Sequence, residues 1–170
     1  MNARKTAALL TGALVLLAAP LTAGPAAATT TTATGMLAHT FNGKCVEVED
    51  SQLTNGATVQ QWDCVGQPGS GWYLEDHGAY DYIRNSNSGK CLEVEDSQTF
   101  NGARIQQWDC VGQPGAKWYA RSLGNGVFNL VNANSLKCLE VEDSQYANGA
   151  RIQQWDCVGQ PGARLSLSPA

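Results

Sequence analysis

Lys90-Cys-Leu-Glu-Val-Glu-Asp-Ser-Gln98 is the stretch of sequence that decides the fold, because the chain carries it three times. It recurs without change at residues 137–145, and with Val in place of Leu at residues 44–52. Each copy leads, after two variable residues, into Asn-Gly-Ala and then Val/Ile-Gln-Gln-Trp-Asp-Cys-Val-Gly-Gln-Pro-Gly. The copies begin at residues 44, 90 and 137, so they are 46 and 47 positions apart. A fixed period of this length indicates a repeat protein.

The number and content of the repeats predict an all-β fold. Three units are too few for a typical propeller of about 4–8 blades, and no unit has the distinct outer face of a solenoid cap. Short segments such as Cys45–Val48, Val59–Trp62 and Trp72–Leu74 indicate four strands in each unit, with turns at Asn55-Gly56 and its equivalents. We therefore predict a closed fold of three pseudo-symmetric repeats with four strands each, at about residues 36–78, 79–124 and 125–170.

The six cysteines fall into three pairs with the same separation, 19 positions. Six cysteines allow 15 pairings in principle, and the equal spacing singles out the pairing within each repeat. A metal site is the alternative, but the sequence has no CxxC pair and its two histidines are His39 and His77. We predict no metal site, no cofactor and three disulfides: Cys45 with Cys64, Cys91 with Cys110, and Cys138 with Cys157.

The N-terminal residues have the pattern of a secretory signal peptide. Arg4 and Lys5 form a basic start, and the apolar stretch at residues 7–19 is shorter than the roughly 20 residues of a membrane-spanning helix. A secreted chain also meets the oxidising conditions that disulfides need. We predict cleavage after Ala28 (with Ala23 as the alternative), a flexible leader at residues 29–35 and a folded domain at residues 36–170.

The charge of the chain argues against nucleic acid and anionic membranes as partners. It has 11 basic and 15 acidic residues, a net charge of −4. Loss of Arg4 and Lys5 with the signal peptide would leave 9 basic residues and a net charge of about −6. The sequence shows no run of Lys or Arg and, after the N-terminal stretch, no segment apolar enough to span a membrane. We expect neither nucleic-acid binding nor membrane insertion.

The pattern Lys-Cys-Leu-Glu-Val, Asn-Gly-Ala and Ile-Gln-x-Trp-Asp-Cys resembles the ricin B-type lectin family. The resemblance extends through all three repeats, from about residue 36 to residue 167. It implies a β-trefoil, in which six strands form a short barrel and three hairpins close one end. It also implies a shallow pocket on each repeat, usually for galactose-like or xylan-type sugars.

The resemblance places two acids, a glutamine and a tryptophan in each pocket. Strand alternation supports part of this set, because Cys45 and Glu47 share one face of a strand and Gln60 and Trp62 share one face of the next. Gln61 then falls on the core side, where an apolar residue is more usual. The predicted pocket residues are Glu47, Asp50, Gln60 and Trp62 in the first repeat, Glu93, Asp96, Gln106 and Trp108 in the second, and Glu140, Asp143, Gln153 and Trp155 in the third.

Two departures from the family pattern fall in this predicted pocket. The family acid is usually Asp, whereas all three repeats have Glu. The family's Asn-Gln-x-Trp is replaced by Gly69-Ser-Gly-Trp72, Gly115-Ala-Lys-Trp118 and Gly162-Ala-Arg-Leu165. The remaining tryptophans of this motif, Trp72 and Trp118, are predicted to be core residues. Candidates to replace the missing amides are Gln67, Gln113 and Gln160.

Two functions of different classes fit these observations. The first is a secreted carbohydrate-binding lectin domain with up to three equivalent sugar sites. The alternative is a secreted protein-interaction module that has lost ordinary sugar binding and uses the loops that differ between repeats, around Leu53, Phe100 and Tyr146. The sequence separately leaves open two plainer interpretations, in which the pocket tryptophans are core residues and the near-identity of the repeats reflects duplication alone.

Other uses of the acidic residues are less consistent with the sequence. Glycoside hydrolysis by paired carboxylates needs two acids in unlike environments, which three near-identical copies do not provide. Calcium takes 6–8 oxygen ligands, and the loops lack the dense, alternating carboxylates of a calcium site. We therefore predict that the chain is not an enzyme.

Overall fold

The computed structural model of the chain describes residues 34–169, whose regular structure is β-strand apart from short 3₁₀ turns. Within this range, no helix has the length and apolar character needed to cross a membrane. The predicted signal peptide lies outside the described residues. The strands are β1 (Thr34–His39), β2 (Cys45–Val48), β3 (Val59–Trp62), β4 (Gly71–Asp76), β5 (Asp81–Asn85), β6 (Cys91–Val94), β7 (Ile105–Trp108), β8 (Lys117–Gly124), β9 (Val127–Asn132), β10 (Cys138–Val141), β11 (Ile152–Trp155) and β12 (Leu165–Pro169). The 3₁₀ turns are Glu49–Ser51, Pro68–Ser70, Glu95–Ser97, Pro114–Ala116, Glu142–Ser144 and Pro161–Ala163.

Six of these strands close into a barrel. Antiparallel pairing joins β1 to β4, β4 to β5, β5 to β8, β8 to β9, β9 to β12 and β12 back to β1. The other strands form the hairpins β2–β3, β6–β7 and β10–β11, which meet through bridges such as that between Thr58 and Gln106. The predicted all-β fold of three four-stranded repeats is confirmed, and its topology is that of a β-trefoil.

Strand β1 begins inside the segment that the sequence assigned to a flexible leader. Thr34 pairs with Tyr73, and Gly35 pairs with Trp72. A Cβ added at Gly35 would lie 2.5 Å from the carbonyl oxygen of Ser168 on β12. Because β1 meets β12 this closely to complete the barrel, the ordered domain includes Thr34 and Gly35 and does not start at residue 36.

The barrel and hairpins share a single apolar core. Val46, Val48 and Val59 are fully buried, on the face of the β2–β3 hairpin opposite Glu47 and Gln60. The indoles of Trp72 and Trp118 are also fully buried, and their Nε1–H groups donate to hairpin carbonyls at 2.8 and 2.9 Å. The prediction that these two tryptophans are core residues is confirmed. Each large apolar side chain buried in this way contributes about 1.5–3 kcal/mol to stability.

One disulfide lies in each repeat, with the predicted partners. The cysteine Cα atoms are 5.2 or 5.3 Å apart in all three bridges. Each bridge ties the start of a hairpin to the loop just beyond its end. In the chain-entropy model, a closed loop of this length stabilises the fold by about 3 kcal/mol. The confirmed bridges are Cys45–Cys64, Cys91–Cys110 and Cys138–Cys157.

Three buried glutamines link each repeat to the one before it around the ring. Gln61 is fully buried, and its Nε2 donates to the carbonyls of Gln145 at 2.7 Å and Ala147 at 2.8 Å in the third repeat. Its backbone N–H donates to Ala150 O at 2.9 Å, and its carbonyl accepts from the N–H of Gly149 at 3.0 Å. These bonds satisfy the polar side chain on the core side of β3. The same side-chain bonds run from Gln107 to Gln52 and Thr54, and from Gln154 to Gln98 and Phe100.

His39 breaks the three-fold pattern at the junction of the first and third repeats. The equivalent positions hold Asn132 and Asn85, and the Asn85 side chain donates to Gly69 O at 2.8 Å. His39 is fully buried, and within residues 34–169 neither ring nitrogen makes a well-formed hydrogen bond, although the carbonyl of Gly162 lies close enough to affect the ring. Burial lowers the pKa of His39 to about 4, and the carbonyl of Gly162 opposes only part of this effect. The imidazole is therefore neutral in the folded chain at pH 7.

We expect His39→Asn to raise the free energy of unfolding by about 1 kcal/mol at pH 7, because asparagine restores a buried hydrogen bond. The free energy of unfolding of His39→Asn should exceed that of the unmodified chain by about 3 kcal/mol more at pH 4 than at pH 7. In the unmodified chain the unfolded imidazole, with a pKa near 6.5, takes up a proton that the folded one, with a pKa of about 4, does not. The stabilisation by neutral His39 is present above pH 6.5 and is lost as the pH falls towards 4.

Urea denaturation at three pH values between 7 and 4 measures this difference. His77→Asn is the matched control, because His77 is exposed on the β4–β5 hairpin. Because His77 lies outside the core, this variant should not show the gain in the free energy of unfolding that we expect for His39→Asn. Parallel stability curves for His39→Asn and the unmodified chain would contradict the assignment of a buried, neutral imidazole.

Candidate functional site

Three equivalent open pockets, one in each repeat, contain all twelve side chains that the sequence assigned to sugar binding. Their volumes are about 230 Å³, 360 Å³ and 200 Å³ in the first, second and third repeats. Pockets for drug-sized ligands usually measure about 300–1,000 Å³, so two of these pockets are smaller than that range and the third lies at its lower end. The lining residues are Glu47, Asp50, Ser51, Gln60, Trp62, Val65 and Gln67; Glu93, Asp96, Ser97, Gln106, Trp108, Val111 and Gln113; and Glu140, Asp143, Ser144, Gln153, Trp155, Val158 and Gln160.

Strand register places the acid and the amide of each pocket side by side. In the β2–β3 hairpin, Glu47 pairs with Gln60 and Cys45 pairs with Trp62. Because alternate side chains of a strand share a face, these four lie on one side of the hairpin. Asp50 follows in the 3₁₀ turn after β2, with a left-handed φ of 52°. Glu47 and Trp62 thus line one pocket, as expected from the sequence, although Gln60 is the residue directly opposite Glu47.

Two amides hold the glutamate carboxylate of each pocket. Gln60 Nε2 donates to Glu47 Oε1 at 3.0 Å, and Gln67 Nε2 donates to Glu47 Oε2. Each pocket glutamate is only 5% exposed. Burial raises the pKa of Glu140, and the bonds from its two amides partly offset that effect. The equivalent clamps are Gln106 and Gln113 on Glu93, and Gln153 and Gln160 on Glu140.

Close packing at Gly69 leaves no room for the asparagine of the family's Asn-Gln pair, and Ser70 stands at the position of the glutamine. A Cβ added at Gly69 would lie 2.6 Å from the carbonyl oxygen of Val48 and 3.0 Å from Cα of Ser51. The Gly69 N–H donates to Ser51 Oγ at 2.9 Å, which fixes this approach. The equivalent glycines of the other repeats are packed in the same way. Since a side chain has no room at this position, the second amide on Glu47 comes from Gln67.

An indole ring and an isopropyl group form the apolar side of each pocket. Trp62 is 39% exposed, and its equivalents Trp108 and Trp155 are each 40% exposed. These rings are therefore not core residues. Val65 is 75% exposed and lines the same pocket as Trp62. Sequence reasoning missed Val65 and Ser51, although both are identical in all three repeats.

A turn from the preceding repeat supports each pocket tryptophan. A Cβ added at Gly149 would lie 4.0 Å from Cζ3 of Trp62, so this turn packs against the indole of the next repeat. Asn148 Nδ2 donates to Asp63 Oδ2 at 2.8 Å, and Lys44 Nζ donates to Asn148 Oδ1 at 2.7 Å. Lys44 also pairs with Asp63, and hydrogen bonds from Lys44 and Asn148 lower the pKa of this carboxyl. The equivalent contacts join Asn55 to Asp109 and Asn101 to Asp156.

The model of a family described as ricin-type β-trefoil lectin domain-like matches residues 27–108 and 72–155. The chain belongs to this ricin-type β-trefoil lectin family. The resemblance seen in the sequence is confirmed, and so is the β-trefoil fold. This chain has glutamate where the ricin-type pattern usually has Asp, and in each repeat Gln67 or its equivalent donates to that glutamate.

Solved structures of diverse origin share this ricin-type fold. The designed 3-fold symmetric protein ThreeFoil is 30% identical, with a TM-score of 0.78 over 81% of this chain and 99% of ThreeFoil. The exo-β-1,3-galactanase of Clostridium thermocellum is 28% identical, with a TM-score of 0.79, over 84% of this chain but 31% of the enzyme. The Macrolepiota procera ricin B-like lectin, solved with lactose, is 14% identical, with a TM-score of 0.69 over 81% of this chain and 95% of that lectin. No curated protein gives a significant match.

We expect Asn148→Ala, in the third repeat, to disturb the indole of Trp62 in the first repeat and not that of Trp155 in its own. The substitution removes the bond to Asp63, which holds the end of β3, and should lower stability by about 0.5–1.5 kcal/mol. Assigned indole N–H signals in a heteronuclear NMR spectrum report the change. Asn101→Ala is the matched control and should shift the Trp155 signal instead. A shift confined to Trp155 in the first variant would contradict support across repeats.

Proposed function

We propose that this chain is a glycan-binding lectin domain with three equivalent sugar sites. The observation that carries this proposal is a half-exposed tryptophan beside a carboxylate held by two amides, repeated in the same geometry in all three repeats. Membership of the ricin-type lectin family supports it. Within this proposal, the twelve predicted pocket residues form the sites, together with Gln67, Gln113 and Gln160.

The chemistry of a sugar ring matches the two sides of the pocket. One face of a sugar presents C–H groups, and the exposed indole of Trp62 offers a flat apolar surface to such a face. The hydroxyls at the rim of the ring donate hydrogen bonds, and bonds to a charged acceptor such as Glu47 are stronger than neutral ones. The amides of Gln60 and Gln67 keep this acceptor in place before the ligand arrives. A rigid acceptor lowers the entropy lost on binding.

We infer binding without catalysis as the activity of these pockets. A glycosidase requires two carboxyl groups with different roles across the scissile bond. Each pocket does pair a buried glutamate with an exposed aspartate, but both oxygens of the glutamate accept hydrogen bonds from glutamine amides, so this carboxylate serves as a fixed acceptor. The galactanase that shares this fold is about three times longer than the matched segment, so its activity is not transferred to this chain.

We also infer that the protein is secreted. Three disulfides in one domain are typical of proteins from oxidising compartments. The pattern of residues 1–28, with its basic start and short apolar stretch, supports the same inference.

Three sites on one domain can engage one polymer or surface together, which would raise avidity by about 10²–10⁴.

An exposed aromatic contact at one repeat junction favours a second candidate function, protein binding. Tyr146 is 69% exposed and packs edge-on against Phe41, with ring centroids 5.2 Å apart. The residues equivalent to Phe41 in the other repeats are Asn87 and Asn134, so this contact exists only once. A protein partner that used it would engage one junction, whereas a sugar would use all three repeats alike.

We expect three monosaccharides to bind per chain, and removal of one pocket tryptophan to reduce that number to two. A glycan array identifies the sugar, and isothermal titration calorimetry with the monosaccharide counts the sites. Trp62→Ala, Trp108→Ala and Trp155→Ala should each remove one site, because each indole forms the apolar wall of a single pocket. The triple variant should bind no sugar.

Leu123→Ala is the matched control for loss of an exposed apolar side chain outside the three pockets. It should leave three sites per chain. Thermal unfolding checks that each tryptophan variant is folded. Absence of binding to every glycan by the folded, oxidised protein would overturn the proposal, and unequal effects at one junction would favour a protein partner.

A further inference from the structure

The pockets present hydrogen-bond acceptors and few free donors. Gln67 Nε2 donates both to Glu47 Oε2 and to Asp63 O, the latter at 3.1 Å, while its Oε1 accepts from the N–H of Val65 at 3.1 Å. Gln60 Nε2 points to the same carboxylate. Most of the amide N–H groups therefore serve the protein. The charged acceptors left for a ligand are the exposed carboxylate of Asp50 and the remaining lone pairs of the clamped, largely buried carboxylate of Glu47.

Nearby cations are already paired with other acids. Lys44 binds Asp63, one residue beyond the pocket tryptophan. Arg104 binds Glu95 at 2.6 Å, and it also donates to the amide oxygen of Gln106 at 3.0 Å. The corresponding pairs in the third repeat are Lys137 with Asp156 and Arg151 with Glu142.

Each pocket consequently keeps two carboxylates without a cation. Within residues 34–169, no Lys, Arg or His forms an ion pair with the lining acids, and none lines a pocket. The exposed tryptophan of each pocket also favours a positively charged ligand, because the face of an indole attracts a cation. The acids without an ion pair are Glu47 with Asp50, Glu93 with Asp96, and Glu140 with Asp143, and among them Asp96 interacts electrostatically with Arg104.

We propose that the three pockets prefer sugar residues that carry a protonated amine, such as 2-amino-2-deoxyhexoses, over neutral, N-acetylated or acidic residues. An ammonium group supplies three donors and one positive charge to a pocket that offers acceptors, two negative charges and an indole face. This inference rests on the proposed function, since it concerns the ligand class of the same pockets.

The expected preference is moderate because the pockets are open to solvent. An exposed ion pair contributes about 0.2–1 kcal/mol, so two carboxylates should favour the amine over its neutral analogue by about fivefold at low ionic strength. Raising the salt concentration to about 0.5 M should bring the ratio of affinities towards one, because the Debye length shortens to a few ångströms.

The test uses a chain with one pocket and ligands with one sugar residue. Trp108→Ala with Trp155→Ala leaves the pocket of the first repeat. The ligands are the methyl glycosides of galactosamine and glucosamine, their N-acetyl forms, the parent galactoside and glucoside, and a galacturonide. The ratio of amine to neutral affinity, measured by calorimetry at low and high salt, is the readout. We expect a ratio of about five at low salt that falls with salt, and the weakest binding for the galacturonide.

Asp50→Asn in this single-pocket chain should lower the ratio by about twofold to threefold, because it removes one of the two carboxylates. Asp76→Asn is the control with the same change of net charge, since Asp76 lies on the β4–β5 hairpin and lines none of the three pockets. It should leave the ratio unchanged. Equal ratios in the two variants would show that pocket charge does not select the ligand.

Two further outcomes separate this inference from the proposed function. If the neutral or N-acetylated glycosides bind at least as tightly as the amines at low salt, the preference for an amine is wrong and the lectin function stands. If no glycoside of this panel saturates either the single-pocket chain or the unmodified chain, the amine preference is wrong. If the unmodified chain also binds no glycan on the array, the lectin function is wrong with it.

Discussion

The bonds from a buried glutamine amide to two carbonyls of the preceding repeat are the interaction on which the rest of this structure depends. An unsatisfied amide in the core would cost about 1–3 kcal/mol. The buried side chain of Gln61 therefore destabilises the fold unless the turn of the third repeat supplies its two acceptors. That same turn brings Asn148 to Asp63 and Gly149 to the indole of Trp62. The contact that joins two repeats therefore also shapes a pocket. Closure of the ring and formation of this pocket therefore depend on the same turn.

Local sequence pattern was sufficient for the repeats, the strands and the disulfides, because each depends on residues close together in the chain. Alternation along β2 and β3 also predicted correctly that Glu47 and Trp62 face the same way. It could not explain Gln61, whose partners lie 84 and 86 positions away. The sequence offered Gln67 only as a candidate for the missing amide. Whether its side chain contacts Glu47 depends on how the loop after β3 folds back over the hairpin. Closure of the barrel by β12 moved the start of the domain into the predicted leader, which no pattern near Thr34 reveals.

The junction between the first and third repeats is the least regular part of the ring. Two asparagines that anchor loops elsewhere are replaced there by His39 and Phe41, and the packing of Phe41 on Tyr146 takes the place of a hydrogen bond. The first and last strands of the domain meet at this junction. The other junctions are each continuous in sequence through a hairpin, β4–β5 or β8–β9. The irregular residues thus fall where the chain itself does not join the repeats.

Support from the preceding repeat also limits how such a protein can change in length during evolution. A chain with two repeats would leave one indole without its turn and one glutamine without acceptors, and a fourth repeat would interrupt the existing closure of the barrel. A closed barrel of this kind therefore contains three repeats, whether one chain carries all three or three identical single-repeat chains assemble. New binding properties must arise by substitution within this number, as the near-identical pockets and the variable residues at Leu53, Phe100 and Tyr146 already illustrate.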